Sequence, residues 1–174
     1  MKKIVLFVFL VTTCSFLNAQ LALTKIIGKN ANEHKAFGFG VFANYDIPLN
    51  DIGNRSLMLE LLDLAFFPDK DPDYNNSRGY VSIKAGYRYI FSEENKTGFF
   101  IEPQAGYARV IANDDYKDGF AAAFEAGYSL EVGQGGNSIA IGLKYEADMA
   151  GADYTIHSLG LRFSFSFPFL RRNR

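Results

Sequence analysis

Ser158-Leu159-Gly160-Leu161-Arg162-Phe163-Ser164-Phe165-Ser166-Phe167 is the stretch that decides the fold. Every second residue is Leu or Phe, and those between are Ser, Gly or Arg. Side chains along a strand alternate between two faces, whereas a helix repeats every 3.6 residues. The stretch is therefore a strand with one large apolar face and one small, polar face.

The same pattern runs upstream. Asn137 to Asp148 sets Ile139, Ile141, Leu143 and Tyr145 against Ala140, Gly142, Lys144 and Glu146. Gly133-Gln134-Gly135-Gly136 reads as a tight hairpin turn. Before it, Gly119 to Val132 sets Phe120, Phe124, Tyr128 and Leu130 against Ala121, Glu125, Gly127 and Ser129. Gly98 to Ile111 carries Ile101, Ala105 and Tyr107 opposite Glu102, Gln104 and Gly106. Gly79 to Phe91 carries Val81, Ile83, Ala85, Tyr87 and Tyr89 opposite Ser82, Lys84, Gly86 and Arg88. Ala36 to Ile47 places Phe37, Phe39, Val41 and Tyr45 on one face. Ser56 to Phe67 is rich in Leu and alternates imperfectly, so the sequence leaves its faces unassigned. Pro103 lacks an N–H and predicts a bulge or a missing ladder bond in its strand.

The N-terminus is built differently. Lys2 and Lys3 precede an uncharged apolar run from Ile4 to Leu17, and Leu17-Asn18-Ala19 supplies a small residue for cleavage. This is the layout of a secretory signal peptide. The run is shorter than the roughly 20 residues a spanning helix needs. Cys14 lies inside it behind Thr13, which does not suit lipid attachment. The reading is residues 1–19 as signal peptide and 20–174 as one domain. Cys14 is the sole cysteine, so a mature chain has no disulfide, thiol chemistry or cysteine metal site. Removing Lys2 and Lys3 from the 18 basic residues leaves 16 against 19 acidic ones, a net charge of −3. That balance argues against a nucleic-acid partner.

Seven strands are evident, and Leu21 to Lys29 is the remaining segment for another. An even count closes an exported barrel with both termini on one side. The expected fold is all-β: an eight-stranded antiparallel up-and-down transmembrane β-barrel. The turns at Pro48–Arg55, Ser92–Thr97 and Gly133–Gly136 then face the periplasm. Segments Asn30–Lys35, Pro68–Arg78, Asn113–Asp118 and Met149–Asp153 face outward, including the longest loop.

Alternation alone does not say which face is inside. A soluble ligand carrier has apolar residues lining its cavity. Here the apolar face holds too many large side chains for an eight-stranded interior. The other face is Gly, Ala and Ser with charges of both signs, which need partners when buried. Folding the hairpins symmetrically sets Arg88 opposite Glu102. It sets Gly106 between Lys84 and Glu125, and Glu125 opposite Lys144. Lys84, Arg88, Glu102, Glu125, Lys144 and Arg162 are the expected interior charge network. Ala85-Gly86-Tyr87, Ala105-Gly106-Tyr107 and Ala126-Gly127-Tyr128 repeat on successive strands with glycine inward and the aromatic outward.

With the signal ending at Ala19, these alternating strands and the aromatic end at Phe165-Ser166-Phe167, the chain resembles the small eight-stranded outer-membrane barrels of the OmpA/OmpX type. The resemblance spans the mature chain. It implies an outer-membrane location, outer-membrane lipid and lipopolysaccharide as surroundings, and a monomer. It also implies that Phe163, Phe165 and Phe167 are read by the barrel-assembly machinery. The tail Pro168-Phe169-Leu170-Arg171-Arg172-Asn173-Arg174 departs from the family, whose chains end at the aromatic residue.

Catalytic chemistry is sparse. His157 stands beside Ser158 with Asp153 nearby, the residue types of a lipid A-modifying enzyme, but neighbours on a strand point to opposite faces. His34 has no evident partner. Asp69-Lys70-Asp71-Pro72-Asp73 opens like a calcium loop, yet the later Gly and Glu positions hold Tyr74 and Tyr80. No cofactor or metal site is expected. The reading is a non-enzymatic envelope or surface-interaction barrel acting through its outer loops. A lipid A deacylase or acyltransferase and a soluble lipocalin-like carrier stand as alternatives.

Overall fold

Strands rich in β-branched and aromatic residues, with small residues between, cannot bury one face alone; closing the sheet on itself abolishes the edges as well. In the computed structural model the chain does this with eight strands. They are β1 (Asn18–Ile27), β2 (Gly38–Pro48), β3 (Arg55–Phe67), β4 (Arg78–Ile90), β5 (Gly98–Ala112), β6 (Asp115–Val132), β7 (Asn137–Met149) and β8 (Ile156–Ser166). The structure describes residues 18–27, 37–68, 78–93, 96–112, 115–132, 137–151 and 154–166. The expected signal peptide up to Leu17, His34, most of the Pro68–Arg78 loop, Asp153 and Phe167 lie outside them.

Each strand pairs antiparallel with the next, and β8 pairs with β1, giving a closed up-and-down barrel. One end carries the turn at 49–54 and the connections that follow β4 and β6; the other carries the remaining connections and is called the loop end here. At the turn end, Gly53 takes a φ of 74°. Its N–H donates to Asn50 O at 3.1 Å, and Arg55 O accepts from Leu49 N at 2.8 Å.

The β5–β6 ladder differs from the expected register. Gly106 lies across from Ala121, and Glu125 from Glu102. The two strands pair as far as Ala112 with Asp115, which sets the register apart from one centred on Asp115–Tyr116. Residues Asp115 to Asp118, expected as loop, continue the strand because Arg109 and Asp118 face each other and pair. Lys84 does lie across from Gly106, and Glu125 from Lys144.

Two irregularities shape β2 and β3. The β3–β4 register shifts between Glu60 and Asp63, and the β2–β3 register shifts at Ala43 and Asn44. Leu61 and Leu62 both face outward as a bulge, which turns Glu60 and Asp63 inward together. At Pro103 the β4–β5 pairing lapses opposite Tyr87 and resumes at Tyr89 and Ile101 in unchanged register. That is the missing ladder bond a proline imposes.

Large apolar side chains cover the outside. Leu21 and Phe39 are each 68% exposed, and Leu130, Leu143, Phe163 and Phe165 stand out from the other wall. The interior has three layers. At the loop end Ile26, Phe67, Tyr80, Val110 and Ile156 pack into an apolar plug, with the Phe67 and Tyr80 rings 6.2 Å apart. Toward the turn end Ile90, Phe100 and Ala140 form a smaller one. Charged groups fill the space between.

Candidate functional site

The bulge in β3 and the regular alternation of β4, β6, β7 and β8 aim their charges at one another. Lys84 Nζ lies 2.9 Å from Glu60 Oε1 and 3.0 Å from Asp63 Oδ2, and also pairs with Glu146. It donates to Ser82 Oγ at 2.7 Å. Lys144 Nζ meets the same three acids: Glu60 at 3.0 Å, Asp63 at 2.7 Å and Glu146 at 2.6 Å. Arg162 spans Glu60 Oε2 at 2.6 Å and Glu125 Oε2 at 3.1 Å, with its guanidinium over the Phe42 ring. Tyr80 donates its hydroxyl to Glu146 Oε2 at 3.3 Å. All of these charged side chains are at least nine-tenths buried. In so dry a place, charges are tolerated through mutual pairing and hydrogen bonds rather than through net stabilisation.

Nearer the turn end a smaller unit repeats the device. Arg88 Nε donates to Glu102 Oε2 at 2.5 Å, and its guanidinium lies 4.6 Å from the Phe100 ring centre. Gln104 Nε2 donates to the other oxygen of Glu102.

Lys84, Arg88, Glu102, Glu125, Lys144 and Arg162 thus all point inward, but not as one layer. Lys84 and Lys144 share Glu60, Asp63 and Glu146, whereas Glu125 bonds Arg162. The sequence reading missed Glu60 and Asp63 because the bulge breaks their alternation. The signal was present: an acid on either side of a leucine pair, Glu60-Leu61-Leu62-Asp63, spaced by three where period two demands two or four. Glu146 was placed on the inner face but not grouped with the cluster. Asp148 is fully buried beside it, and neither of its oxygens has a hydrogen-bond partner among the described residues.

His157 and Ser158 do not meet. Ser158 is buried inside, while His157 faces outward and shares a 2.8 Å hydrogen bond through Nδ1 with the Tyr145 hydroxyl. Phe163 and Phe165 also face outward, both exposed. No group of three or more His, Cys, Asp or Glu side chains that could hold a metal ion occurs among the described residues; Glu60, Asp63 and Glu146 converge on two ammonium groups instead.

Beyond the apolar belt, at the loop end, the β5–β6 hairpin carries its own polar surface. Arg109 grips Asp118 through two bonds, Nε to Oδ1 at 2.7 Å and a second nitrogen to Oδ2 at 3.1 Å. These bonds hold the Asp118 carboxyl below the usual range. Asp115 is lowered as well, chiefly by the Tyr154 hydroxyl that donates to it at 2.7 Å. The Lys117 ammonium sits 4.6 Å from the Tyr154 ring centre.

A closed eight-stranded barrel, apolar outside and filled with paired charges inside, has the fold of the small eight-stranded outer-membrane barrels. Among solved structures it is similar to Neisserial surface protein A (NspA), with a TM-score of 0.68 at 15% identity over 88% of this chain and 96% of that one. It is also similar to Ail, the attachment invasion locus protein of Yersinia pestis, with a TM-score of 0.51 at 12% identity over 86% and 95% of the two chains. No protein-family model matches the sequence, and no curated protein matches it.

Proposed function

We propose that the chain is a non-enzymatic integral barrel of the outer membrane, exported by a signal peptide cleaved after Ala19 and acting through the connections at its loop end. One observation carries this reading: large apolar side chains clothe the barrel while the network of Glu60, Asp63, Lys84, Glu125, Lys144, Glu146 and Arg162 is turned inward. A soluble monomer rarely exposes a contiguous apolar patch beyond a few hundred Å². A lipocalin-like carrier would show the opposite polarity.

Among the described residues, the interior cavity beside Asp63, Lys144, Glu146 and Arg162 measures only about 10 Å³, too small for an organic ligand. Its chemistry is structural: the charge network of Lys84, Arg88, Glu102, Glu125, Lys144 and Arg162, completed by Glu60, Asp63 and Glu146, braces a barrel of rigid shape. Loops on such a scaffold are the natural place for recognition, chiefly Pro68 to Arg78. The outward aromatic strand through Phe163 and Phe165, with Phe167 beyond the described residues, suits engagement by the barrel-assembly machinery. A surface-contact role of the kind named for the attachment invasion locus protein fits an inert barrel. The separation of His157 from Ser158 speaks against the acyl-transfer alternative.

The test is a loop exchange with fractionation. Replacing residues 69–77 by a short glycine-containing turn leaves a heat-modifiable barrel in the outer-membrane fraction and abolishes binding of the cells to surfaces. His157→Ala leaves lipid A acylation unchanged. Recovery of the wild-type protein in the soluble periplasmic fraction, or an altered lipid A mass profile with His157→Ala, would overturn the proposal.

A further inference from the structure

The apolar coat is not uniform. On the wall made by β1 to β5, toward the loop end, it sinks into a broad groove of about 910 Å³. The cause is local. Tyr80 points inward, so Gly79 and Val81 face outward and present little or no side chain. Gly79 cannot be filled without moving a neighbour: a Cβ there would lie 2.7 Å from the Ala65 carbonyl oxygen. Around this floor Leu21, Phe39 and Phe66 project, more than half exposed. Arg78 borders the groove at the loop end.

A second observation sits beside it. Lys25 occupies the next outward position beyond Leu23 on β1, toward the loop end, and is exposed. It has no carboxylate partner among the described residues. Elsewhere on the outward face, Arg109 is neutralised by Asp118. An apolar trough ending near an unneutralised ammonium matches a molecule with a hydrocarbon tail and an anionic head. The size agrees. At roughly 30 Å³ for a group as large as a water molecule, a sixteen-carbon chain needs on the order of 500 Å³, so the groove accepts one or two chains.

We propose that this groove is a seat for the acyl chain of a membrane lipid with a net anionic head group, the head group being held by Lys25. The proposal rests on the membrane reading above and adds to it one fixed position, where a lipid prefers this wall to every other.

The chain contains no tryptophan, so one introduced Trp is a unique reporter. Phe39→Trp places it on the groove's flank, and Leu143→Trp places it on β7 across the barrel. Each variant, its fold checked by heat-shifted gel mobility, is reconstituted in phosphatidylcholine vesicles. These contain a small fraction of either acyl-brominated phosphatidylglycerol or acyl-brominated phosphatidylcholine. The ratio of quenching by the two lipids cancels the depth of the reporter. One basic residue near an anionic head group enriches it about fivefold. The expected ratio is therefore about five at Phe39→Trp and about one at Leu143→Trp. It falls to about one at Phe39→Trp when combined with Lys25→Gln, and Lys25→Arg restores it. Equal quenching by both lipids at Phe39→Trp, the same preference at Leu143→Trp, or a preference that survives Lys25→Gln would overturn the seat. Absence of quenching by either lipid at both positions is a separate signature: it overturns the membrane reading and the seat with it.

Discussion

Lys144→Met removes the ammonium at the centre of the interior cluster and leaves an unbranched side chain of similar length. The central group sets four carboxylates (Glu60, Asp63, Glu125 and Glu146) against Lys84, Lys144 and Arg162. The substitution leaves four against two, all in a space closed to water. Breaking a buried pair by removing one partner costs about 3–5 kcal/mol. Glu60→Gln takes the balance the other way, to three against three, and keeps an amide in hydrogen-bond reach of Arg162. Its cost is about 1–3 kcal/mol for the groups left short of partners. Leu143→Ala, one residue away but facing outward at 52% exposure, alters neither balance nor core and costs about 0.5 kcal/mol. Urea unfolding in lipid vesicles, read by the heat-shifted mobility of the folded barrel, ranks the three. The order Lys144→Met, then Glu60→Gln, then Leu143→Ala is expected. A Lys144→Met protein no weaker than Leu143→Ala, or one more stable than Glu60→Gln, refutes the charge-balance argument.

Other perturbations test the architecture. In Gly106→Ala the new Cβ collides with the Ile83 carbonyl oxygen, so the strands must part; a loss of about 1–3 kcal/mol is expected in the same unfolding assay. Deleting Leu61 removes the bulge yet leaves Glu60 and Asp63 two positions apart on one face, so the barrel still assembles. Deleting Leu59 puts Met58 beside Glu60, sends one of them to the wrong face and blocks assembly; gel mobility distinguishes the outcomes. Asp118 has a depressed carboxyl, so its bond to Arg109 is fully present above the ordinary Asp range near pH 3.9 and is lost only as pH falls through the lower folded value. Asp118→Asn therefore speeds amide exchange at the tip of the β5–β6 hairpin at neutral pH, and the difference vanishes in strong acid.

The strand content, the order of pairing and the polarity of the wall were legible because period two is plain in the sequence of six of the eight strands, while β3 breaks it at its bulge. β1 is visible only as the segment left over, and the structure starts it at Asn18 rather than Leu21. The register of β5 on β6 was misjudged by assuming that a run of polar residues must be a loop. Asp115 and Lys117 are polar because that hairpin reaches past the apolar belt, not because it has ended. The charge cluster was half legible. Lys84, Glu125, Lys144 and Arg162 keep strict alternation, whereas Glu60 and Asp63 are displaced by a bulge that no local propensity announces. Which acid serves which base depends on side-chain reach across the lumen, and strand pairing alone cannot supply that.

Arg162 and Glu60 are separated by 102 positions in the chain, and Lys144 and Glu60 by 84. Arg162 on β8 meets its carboxylates on β3 and β6, neither of which neighbours β8, so its charge is cancelled across the lumen. A partly formed sheet would carry these groups bare into hydrocarbon, at several kcal/mol for each ion. Entry strand by strand is thereby closed off. Long-range closure of this kind is entropically late and slow, so the barrel must curl with its charges still wet and pass into the bilayer as it seals. On the proposed membrane reading, the cluster that braces the finished wall would couple closure of the barrel to its insertion.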